Sequence, residues 1–429
     1  MNRATREGWC YKKLNELGFV GRGKSKHRPR NAPFLYGGKY PFIQTGEIKA
    51  AELYISEYSQ TYSEKGLAQS RLWEPGTLCI TIAANIAETA ILKIKACFPD
   101  SVVGFVADAQ KSDVRFVKYY LDTMKLRMQN VSMGTTQDNL PLEKLLSFEL
   151  LVPPLPTQRK IAAILSAYDD LIENNTRRIR ILEEITQLIY REWFVNFRFP
   201  GHETVRMVDS ELGVIPEGWE VKRLGEVLDT IESGSRPKGG VSSASGEIPS
   251  IGAENIIGLG KYDYSKDKYV SRSFFESMRK GWVRDKDVLL YKDGAQIGRK
   301  SMFQSSFPHS VCCINEHVFI LRTNQLCTQN YLYFWLDQPD MTQNIRNLNA
   351  NAAQPGINQA GVKSLPILLP SHKLLEMFDE VAEPLIGELF NLAKKNNVLC
   401  RTRDLLLPRL ISGEIDVENL DIDKERLGQ

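Results

Sequence analysis

Residues 7–17, EGWCYKKLNEL, and residues 217–227, EGWEVKRLGEV, share the pattern that decides the fold of this chain. Both have Glu-Gly-Trp, then Lys with a further basic residue and Leu, and then Glu. The two stretches are 210 positions apart, since Glu7 corresponds to Glu217. Self-similarity at so long a period predicts two copies of one domain within the chain.

The similarity continues beyond these starts. YPFIQTGEI near Ile43 matches EIPSIGAENI near Ile251, and PGTLCITIAANIAETA matches KDVLLYKDGAQIGRKS. TQDNLPLEKLLSFELLVP matches AQPGINQAGVKSLPILLP at an offset of 217. The offset grows because the second copy carries a few inserted residues, which is usual in surface loops.

Each copy then runs into a long helical pattern. After Pro156, positions in steps of four and three are mostly apolar, which is the period of a coiled-coil seam. The first seam consists of Ile161, Leu165, Tyr168, Ile172, Asn175, Ile179, Leu182, Thr186, Ile189 and Trp193. The second seam consists of Phe378, Val381, Leu385, Leu392, Leu399 and Leu406. A seam needs a partner stripe, and the simplest partner is the other seam.

Individual residues indicate where these helices begin and end. Thr157 is a candidate N-cap of the first helix and Ser371 of the second. Pro384 should kink the second helix or mark its true start, and Pro408 should end it. Asn175 could fix the register between the helices or face a docked subunit.

The segments before the helices alternate short β-rich runs with helical stretches, so each is expected to be a compact mixed domain. The predicted fold class is α/β (α+β), with two similar domains separated by two long antiparallel coiled-coil helices in a pseudo-two-fold internal repeat. The predicted parts are a first domain over 1–155 (copy 1), a central helix over 156–198, a linker over 199–218, a second domain over 219–370 (copy 2), a C-terminal helix over 371–411 and an acidic tail over 412–429.

Composition narrows the class of protein. The chain is 42% hydrophobic and 25% charged, as in ordinary globular domains. It has no apolar run of about 18 residues and no signal-peptide core, so a cytoplasmic protein without membrane contact is expected. Seven cysteines without a C-x-x-C pair argue against a disulfide framework and a zinc site. The neighbouring Cys312 and Cys313 are expected to be packed.

The charge is unevenly distributed although the net charge is only +3. Residues 1–30 hold nine Lys or Arg against two Glu, and residues 411–429 hold six acids against two bases. A polyanion partner would explain this pattern, and so would a solvated surface.

The length of the predicted helices suits two separate DNA sites. A helix of about 40 residues is about 60 Å long, and dimeric DNA-binding proteins space their half-sites by turns of B-DNA of about 34 Å each. Two unlike domains on such helices could therefore recognise a split, asymmetric site.

The order of these segments resembles one known family over essentially the whole chain. The most specific stretches are WFVNFRFPGHE and ELGVIPEGWE between the copies, and RDLLLPRLISGEI near the end. They resemble the specificity (S) subunits of Type I restriction-modification systems. The resemblance implies that each copy is a target-recognition domain for one half of a split double-stranded DNA target. It also implies that the helices dock two methyltransferase (modification) subunits.

The resemblance further implies that restriction (motor-nuclease) subunits join the complex and that this subunit is not itself an enzyme. No cofactor is expected here, because S-adenosylmethionine, ATP and Mg would bind to the partner subunits. The sequence agrees, since it has no N-P-P-[YF] run for methylation of an exocyclic amine and no helicase pattern. The histidines lack metal-ligand spacing and no acid pair suits nuclease chemistry, so no catalytic residue or metal ligand is proposed.

Three pairs of equivalent loops supply candidate DNA contacts. Arg and Lys neutralise phosphates or reach guanine edges, and amides suit adenine edges. The first pair, GRGKSKHRPR and SGSRPKGG, contributes Arg22, Lys24, Lys26, Arg28, Arg30, Arg236 and Lys238. The second contributes Asn85, Lys292, Gln296, Arg299 and Lys300. The third contributes Thr136, Gln137, Asn351 and Gln354. Glu88 stands where copy 2 has Arg299, so the copies should recognise different bases. Solvated loops and Asx-rich turns would also explain these residues.

Two other functions remain compatible with the sequence. GFVGRGKS, residues 18–25, matches the P-loop pattern of nucleotide-binding enzymes. A P-loop needs a strand before it and a helix after it, but Pro29 and Pro33 leave no room for a long helix. A non-catalytic coiled-coil adaptor with two protein-binding domains would explain the repeat equally well. The linker resemblance and the paired basic loops favour DNA recognition.

Overall fold

The structure, a computed structural model, describes residues 7–132, 139–238, 240, 246–349 and 356–422. The chain forms two compact units. Unit 1 comprises residues 1–173 and 398–429, and unit 2 comprises residues 174–397. Copy 1 thus belongs to unit 1 and copy 2 to unit 2, while each of the two long helices contributes one end to each unit.

Copy 1 is built on a five-stranded and a four-stranded sheet. Its strands are β1 (Cys10–Lys13), β2 (Gly18–Arg22), β3 (Tyr36–Phe42), β4 (Tyr54–Ile55), β5 (Gln60–Tyr62), β6 (Leu72–Trp73), β7 (Leu78–Thr81), β8 (Thr89–Leu92), β9 (Ala96–Cys97), β10 (Val102–Ala107) and β11 (Glu149–Val152). Its helices are α1 (Leu14–Leu17), α2 (Thr45–Ala50), α3 (Glu64–Ala68), α4 (Val114–Thr123), α5 (Lys125–Ser132) and α6 (Leu142–Ser147), with a 3-10 turn at Pro33–Leu35. The sheet orders are β2-β10-β7-β8-β4 and β5-β3-β9-β6.

The central helix α7 (Leu155–Phe194) leads to the linker, which contains a 3-10 turn (His202–Thr204) and a hairpin of β12 (Met207–Ser210) and β13 (Gly213–Pro216). Copy 2 has strands β14 (Glu220–Arg223), β15 (Leu228–Ser233), β16 (Ile248–Ile251), β17 (Tyr269–Val270), β18 (Val288–Tyr291), β19 (Lys300–Met302), β20 (Cys313–Ile314), β21 (Val318–Thr323) and β22 (Pro366–Leu369). Its helices are α8 (Leu224–Val227), α9 (Arg272–Ser277), α10 (Gln329–Asp337), α11 (Pro339–Asn347) and α12 (Gln359–Ser364), with 3-10 turns at Ala253–Asn255 and Tyr264–Lys266. The second long helix, α13, spans His372–Ile411.

Copy 2 repeats the topology of copy 1. Its sheet β15-β21-β18-β19 corresponds to β2-β10-β7-β8, and its smaller sheet has the order β17-β16-β20. In both copies the first strand pairs antiparallel with the last, β1 with β11 and β14 with β22. The central strands β7, β8 and β18 are almost entirely buried, as expected for apolar strands covered on both faces.

The two EGW starts fold in the same way. Lys13 N–H donates a hydrogen bond to the Glu16 carboxylate at 2.7 Å, and Arg223 N–H donates to the Glu226 carboxylate at 2.7 Å. Trp9 and Trp219 are both buried. The shared Glu therefore satisfies a free backbone donor at the start of a short helix in each copy, and the predicted internal repeat is confirmed.

The two long helices each contain 40 residues. All ten positions of the first predicted seam are buried or half-buried. The prediction that Val381 belongs to the second seam is wrong, because its side chain is 42% exposed. Ala382 and Ile386 are buried instead. Neighbouring residues on a helix point about 100° apart, so Val381 faces outward when Ala382 faces the core.

The ends of the helices differ in part from the prediction. Ser371 directly precedes α13, as expected of an N-cap, but Thr157 lies inside the first turn of α7. Pro384 neither starts nor interrupts α13, and the helix ends three residues after Pro408. A proline removes one backbone donor. The helix continues past Pro408 because its last turn is buried, with Leu410 and Ile411 in the core of unit 1.

Within unit 2 the two helices pair in antiparallel orientation. Asn175 Nδ2 donates to Asn396 Oδ1 at 2.9 Å, and near the other end Tyr190 packs against the ring of Phe378. In unit 1, Arg403 of α13 forms an ion pair with the buried carboxylate of Asp169 on α7. The predicted antiparallel pairing is thus confirmed in each unit.

Candidate nucleic-acid interface

The basic loop of copy 1 leaves strand β2 at Arg22. Hydrogen bonds hold its backbone directly after the strand, because Gly23 N–H donates to Val102 O at 2.8 Å and Lys24 N–H donates to Phe98 O at 3.1 Å. The side chains of Arg22, Lys24 and Lys26 are exposed. The loop therefore presents its cations to solvent from a rigid edge of the five-stranded sheet.

Asp100 contacts three of the predicted basic residues. Arg30 Nη2 lies 2.8 Å and 2.9 Å from the two carboxylate oxygens of Asp100, and Arg28 Nη2 lies 3.8 Å from Oδ2. Arg22 Nε donates to the backbone oxygen of Asp100. Asp100 thus contacts guanidinium groups from both ends of the loop.

A cavity of about 120 Å³ opens beside this loop. It is lined by Ser25, Arg30, Tyr36, Phe42, Gln44, Thr45, Pro99 and Ser101. Hydroxyl, amide and guanidinium donors on its wall suit a ligand rich in hydrogen-bond acceptors, such as a base edge or a phosphate.

A stacked aromatic group adjoins the same loop. The guanidinium carbon of Arg71 lies 3.9 Å from the ring centre of Trp73 and 4.9 Å from that of Phe19, which is half-exposed. Segment 69–70 is hydrogen-bonded to the basic loop, since Ser70 Oγ donates to Lys24 O at 2.8 Å. Neither Arg71 nor Phe19 was predicted from the sequence, although Arg beside exposed aromatic residues is typical of nucleic-acid-binding surfaces.

The stretch GFVGRGKS does not form a P-loop. Residues 18–22 are strand β2 of an antiparallel pairing with β10, and no helix begins at Lys24. The N–H groups of Gly23 and Lys24 are already bonded to carbonyl groups. Ser25 is buried, with its hydroxyl 3.5 Å from that of Tyr62. These groups cannot cradle a phosphate, so the nucleotide-binding hypothesis loses its only motif.

The basic loop of copy 2 leaves strand β15 in the same manner. Gly234 N–H donates to Asn315 O at 3.1 Å. Arg236 and Lys238 are exposed, and Arg236 Nη1 lies 3.6 Å from Glu316 Oε1. The first predicted pair of loops therefore occupies equivalent edges of the two sheets, each beside an acidic residue.

The second pair of loops follows strands β7 and β18. Asn85 is half-buried, and its Oδ1 lies 3.5 Å from Lys49 Nζ. In copy 2, Gln296 and Arg299 are exposed. Lys292 Nζ donates to the backbone oxygen of Glu316 at 2.9 Å. The first and second loops of copy 2 thus meet at Glu316.

Lys300 is a wrong prediction as a DNA contact. Its side chain is buried, and Nζ donates to Leu336 O at 2.7 Å and to Thr342 Oγ1 at 2.7 Å and lies 3.2 Å from the Asp337 carboxylate. Removal from water lowers the pKa of Lys300, against the opposing effect of Asp337. This ammonium group ties strand β19 to the helices α10 and α11 and does not reach a surface.

The third pair of loops lies partly outside the described residues, and these include Thr136, Gln137, Asn351 and Gln354. The residues that follow are placed equivalently in the two copies. Asn139 forms a bridge with Ala83, and Gly356 forms one with Asp293. In each copy the chain therefore returns beside the second loop.

Five of the seven cysteines are buried. Cys312 and Cys313 are buried, as predicted, and burial raises the pKa of the Cys313 thiol to about 11. Burial likewise raises the pKa of Cys97 to about 11 and that of Cys327 to about 12. Over the described ranges no group of three or more His, Cys, Asp or Glu could hold a metal ion. None of the helices in those ranges combines the length and the apolar character that a membrane span requires.

The chain thus contains two copies of one mixed domain, each with an exposed basic loop at an equivalent sheet edge. A family model described as the Type I restriction modification DNA specificity domain matches residues 6–185 and 216–374. The chain therefore belongs to this family, and both copies are specificity domains.

Similar proteins agree with this family over most of the chain. The MjaIX Type I specificity subunit of Methanocaldococcus jannaschii is 26% identical over 96% of this chain and 94% of its own length. The HindI specificity subunit of Haemophilus influenzae is 24% identical over 68% of this chain and 74% of its own length. The crystal structure of an S subunit from M. genitalium has the same fold, with a TM-score of 0.58 and 15% identity over 96% of this chain and 97% of that one.

Proposed function

We propose that this chain is the specificity subunit of a Type I restriction-modification complex and recognises a bipartite, asymmetric double-stranded DNA target. The family match over both copies carries the proposal. Equivalent loops bear different side chains. Arg299 of copy 2 is exposed, whereas the corresponding Glu88 of copy 1 pairs with Lys125 at 2.7 Å. Each copy therefore recognises its own half-site.

In this proposal the chain supplies recognition and no catalysis. Two methyltransferase subunits dock on the long helices, restriction (motor-nuclease) subunits join them in the cytoplasm, and S-adenosylmethionine, ATP and Mg bind to those partners. Docking is supported by exposed apolar side chains on α7, namely Ile181, Ile185 and Leu188. They lie on the opposite face from the buried Ile179 and Tyr190. Contiguous exposed apolar residues are typical of protein interaction sites.

The most direct test is co-expression of the chain with its methyltransferase subunit, followed by mapping of N6-methyladenine across the host genome. We expect methylation within one split motif that has two unlike halves and a spacer of constant length. Methylation without such a motif would contradict bipartite recognition. Absence of any sequence-selective DNA binding with the partners present would favour a coiled-coil adaptor instead.

A second test addresses the basic loops. Arg22→Ala, Lys24→Ala, Arg236→Ala and Lys238→Ala should each weaken DNA binding, and the slope of log affinity against log salt should fall by about one for each lost phosphate contact. Lys39→Ala is the matched control, since Lys39 is an exposed cation of copy 1 that pairs with Glu64 at 3.1 Å. Unchanged affinity in all four loop variants would show that these loops do not contact DNA.

A further inference from the structure

Asp100 and Glu316 occupy the same position in the two copies. Asp100 lies two residues before strand β10, and Glu316 lies two residues before strand β21. The strands have the same register, because Val102 pairs with the last residue of β7 and Val318 with the last residue of β18. The equivalence is therefore fixed by the sheet.

Each of these acids contacts the basic loop of its own copy. In copy 1 the Asp100 carboxylate lies 2.8 Å from Arg30 and 3.8 Å from Arg28. In copy 2 the Glu316 carboxylate lies 3.6 Å from Arg236. The two loops otherwise differ in sequence and length, so the acid–arginine contact is a feature that they share.

Stability does not explain why the contact occurs twice. The side chains of Arg28, Arg30 and Arg236 are 56%, 50% and 55% exposed. Ion pairs so accessible to water contribute little to the free energy of unfolding. What such a contact does change is the range of orientations open to a long side chain. Arg30 Nη2 is hydrogen-bonded to both carboxylate oxygens of Asp100, and Arg236 lies within ion-pair distance of Glu316.

A held guanidinium group suits base recognition. The planar fork of Arg donates two parallel hydrogen bonds to O6 and N7 of guanine, which is the commonest specific contact in the major groove. Fixing the fork before binding removes the entropy cost of ordering it. A carboxylate at the same place also repels phosphates, so it lowers the affinity for DNA of any sequence.

We propose that Asp100 and Glu316 are positioning residues for specificity. Asp100 orients Arg30, and Glu316 orients Arg236, toward a guanine edge in one half-site each. The inference rests on the proposed function. It requires opposite changes when the carboxylate is removed, since discrimination between sequences falls while affinity for unrelated DNA rises. Loss of a residue with a merely structural role would not change sequence discrimination and affinity for unrelated DNA in opposite directions.

The test uses Asp100→Asn and Glu316→Gln in the full chain assembled with its methyltransferase partner. The probes are a duplex with the mapped motif, the same duplex with one G·C pair of one half replaced, and a scrambled duplex. We expect each variant to lose about 10-fold in discrimination at a G·C pair of one half only. The affected half should differ between the two variants, and binding to the scrambled duplex should increase.

Two controls separate this effect from loss of surface charge. Glu64→Gln breaks the exposed pair with Lys39 in copy 1, and Glu247→Gln breaks the exposed pair with Arg272 in copy 2. Both should retain full discrimination, and Asp100→Glu should restore most of what Asp100→Asn loses. Retained discrimination in both test variants, or an equal loss in both halves, would overturn the inference alone. A wild-type complex without any motif would overturn the proposed function and, with it, this inference.

Discussion

The amide of Asn175 donates a hydrogen bond to Asn396 Oδ1 at 2.9 Å, and Asn396 Nδ2 in turn donates to Thr176 Oγ1 at 3.1 Å. Asn175 is buried between the two long helices of unit 2. The sequence left open whether this amide fixes the register or faces a docked subunit. Its partner lies on the opposite helix of the same chain, which favours the role in fixing the register.

Replacing one member of this pair should therefore destabilise unit 2. We expect Asn175→Leu to lower the free energy of unfolding by about 1–3 kcal/mol, because the Asn396 amide loses a buried partner. The double variant with Asn396→Leu should recover most of that loss. Thermal unfolding measures both. Asn391→Ala on the exposed face of α13 is the control, and a double variant no more stable than the single one would argue against a direct pair.

Lys300 and Arg299 are neighbours in different surroundings, since Lys300 is buried and Arg299 is exposed. Lys300→Met leaves Asp337 without its cation and should lower the free energy of unfolding by about 2 kcal/mol or more, with the salt slope of DNA binding unchanged. Arg299→Ala should leave stability within about 0.5 kcal/mol and weaken DNA binding. Thermal unfolding and DNA titrations at several salt concentrations check both. A lower salt slope of DNA binding in folded Lys300→Met would show that Lys300 contacts a DNA phosphate.

The basic loops depend on a glycine at their first turn. A Cβ on Gly23 would lie 2.2 Å from Pro99 O, and one on Gly234 would lie 1.7 Å from Ile314 O. Since these neighbours are backbone atoms, Gly23→Ala and Gly234→Ala should displace the loops and cost about 1–3 kcal/mol in stability. Thermal unfolding and DNA affinity should both fall. Gly46→Ala meets no atom within 4 Å and is the control that should lower neither.

Thiol reactivity tests the burial of the cores. Cys79, Cys97, Cys312, Cys313 and Cys327 are buried, whereas Cys10 is exposed and Cys400 is half-buried. Burial also raises the pKa of Cys400, so at pH 8 Ellman's reagent should modify Cys10 quickly and Cys400 slowly. All seven thiols should react in guanidinium, and Cys10→Ser should remove the fast phase. Fast modification of Cys312 or Cys313 in the folded protein would contradict the structure of copy 2.

Much of the fold could be predicted from the sequence because it depends on repetition and period. The two EGW starts established the repeat, and mostly apolar positions spaced alternately by four and three residues established the first seam. The predictions at Thr157, Pro384 and Pro408 followed local rules for caps and prolines, and the prediction at Val381 followed a strict period. Both give way where tertiary packing fixes which side of a helix is buried. The burial of Leu410 and Ile411 is such a case.

The candidate site was less predictable because charge in a sequence does not reveal burial. Lys300 resembles its exposed neighbour Arg299, but its partner Asp337 belongs to a helix that follows much later in the chain. Asp100 and Glu316 were missed because their equivalence depends on strand register. A signal does exist, since DSV in copy 1 and EHV in copy 2 place an acid two residues before the valine that opens the strand.

The composition of unit 1 has a consequence for synthesis of the protein. Its core joins Trp9 and Ile161 with Leu410, Ile411 and Val417, and Lys160 Nζ donates to the backbone oxygens of Glu418 and Leu420 at 2.7 Å and 2.8 Å. Residues 174–397 must emerge from the ribosome between these segments. The core of unit 1 is therefore complete only after residues 410–417 have been synthesised, and a prematurely terminated chain leaves apolar residues of that core accessible to proteases.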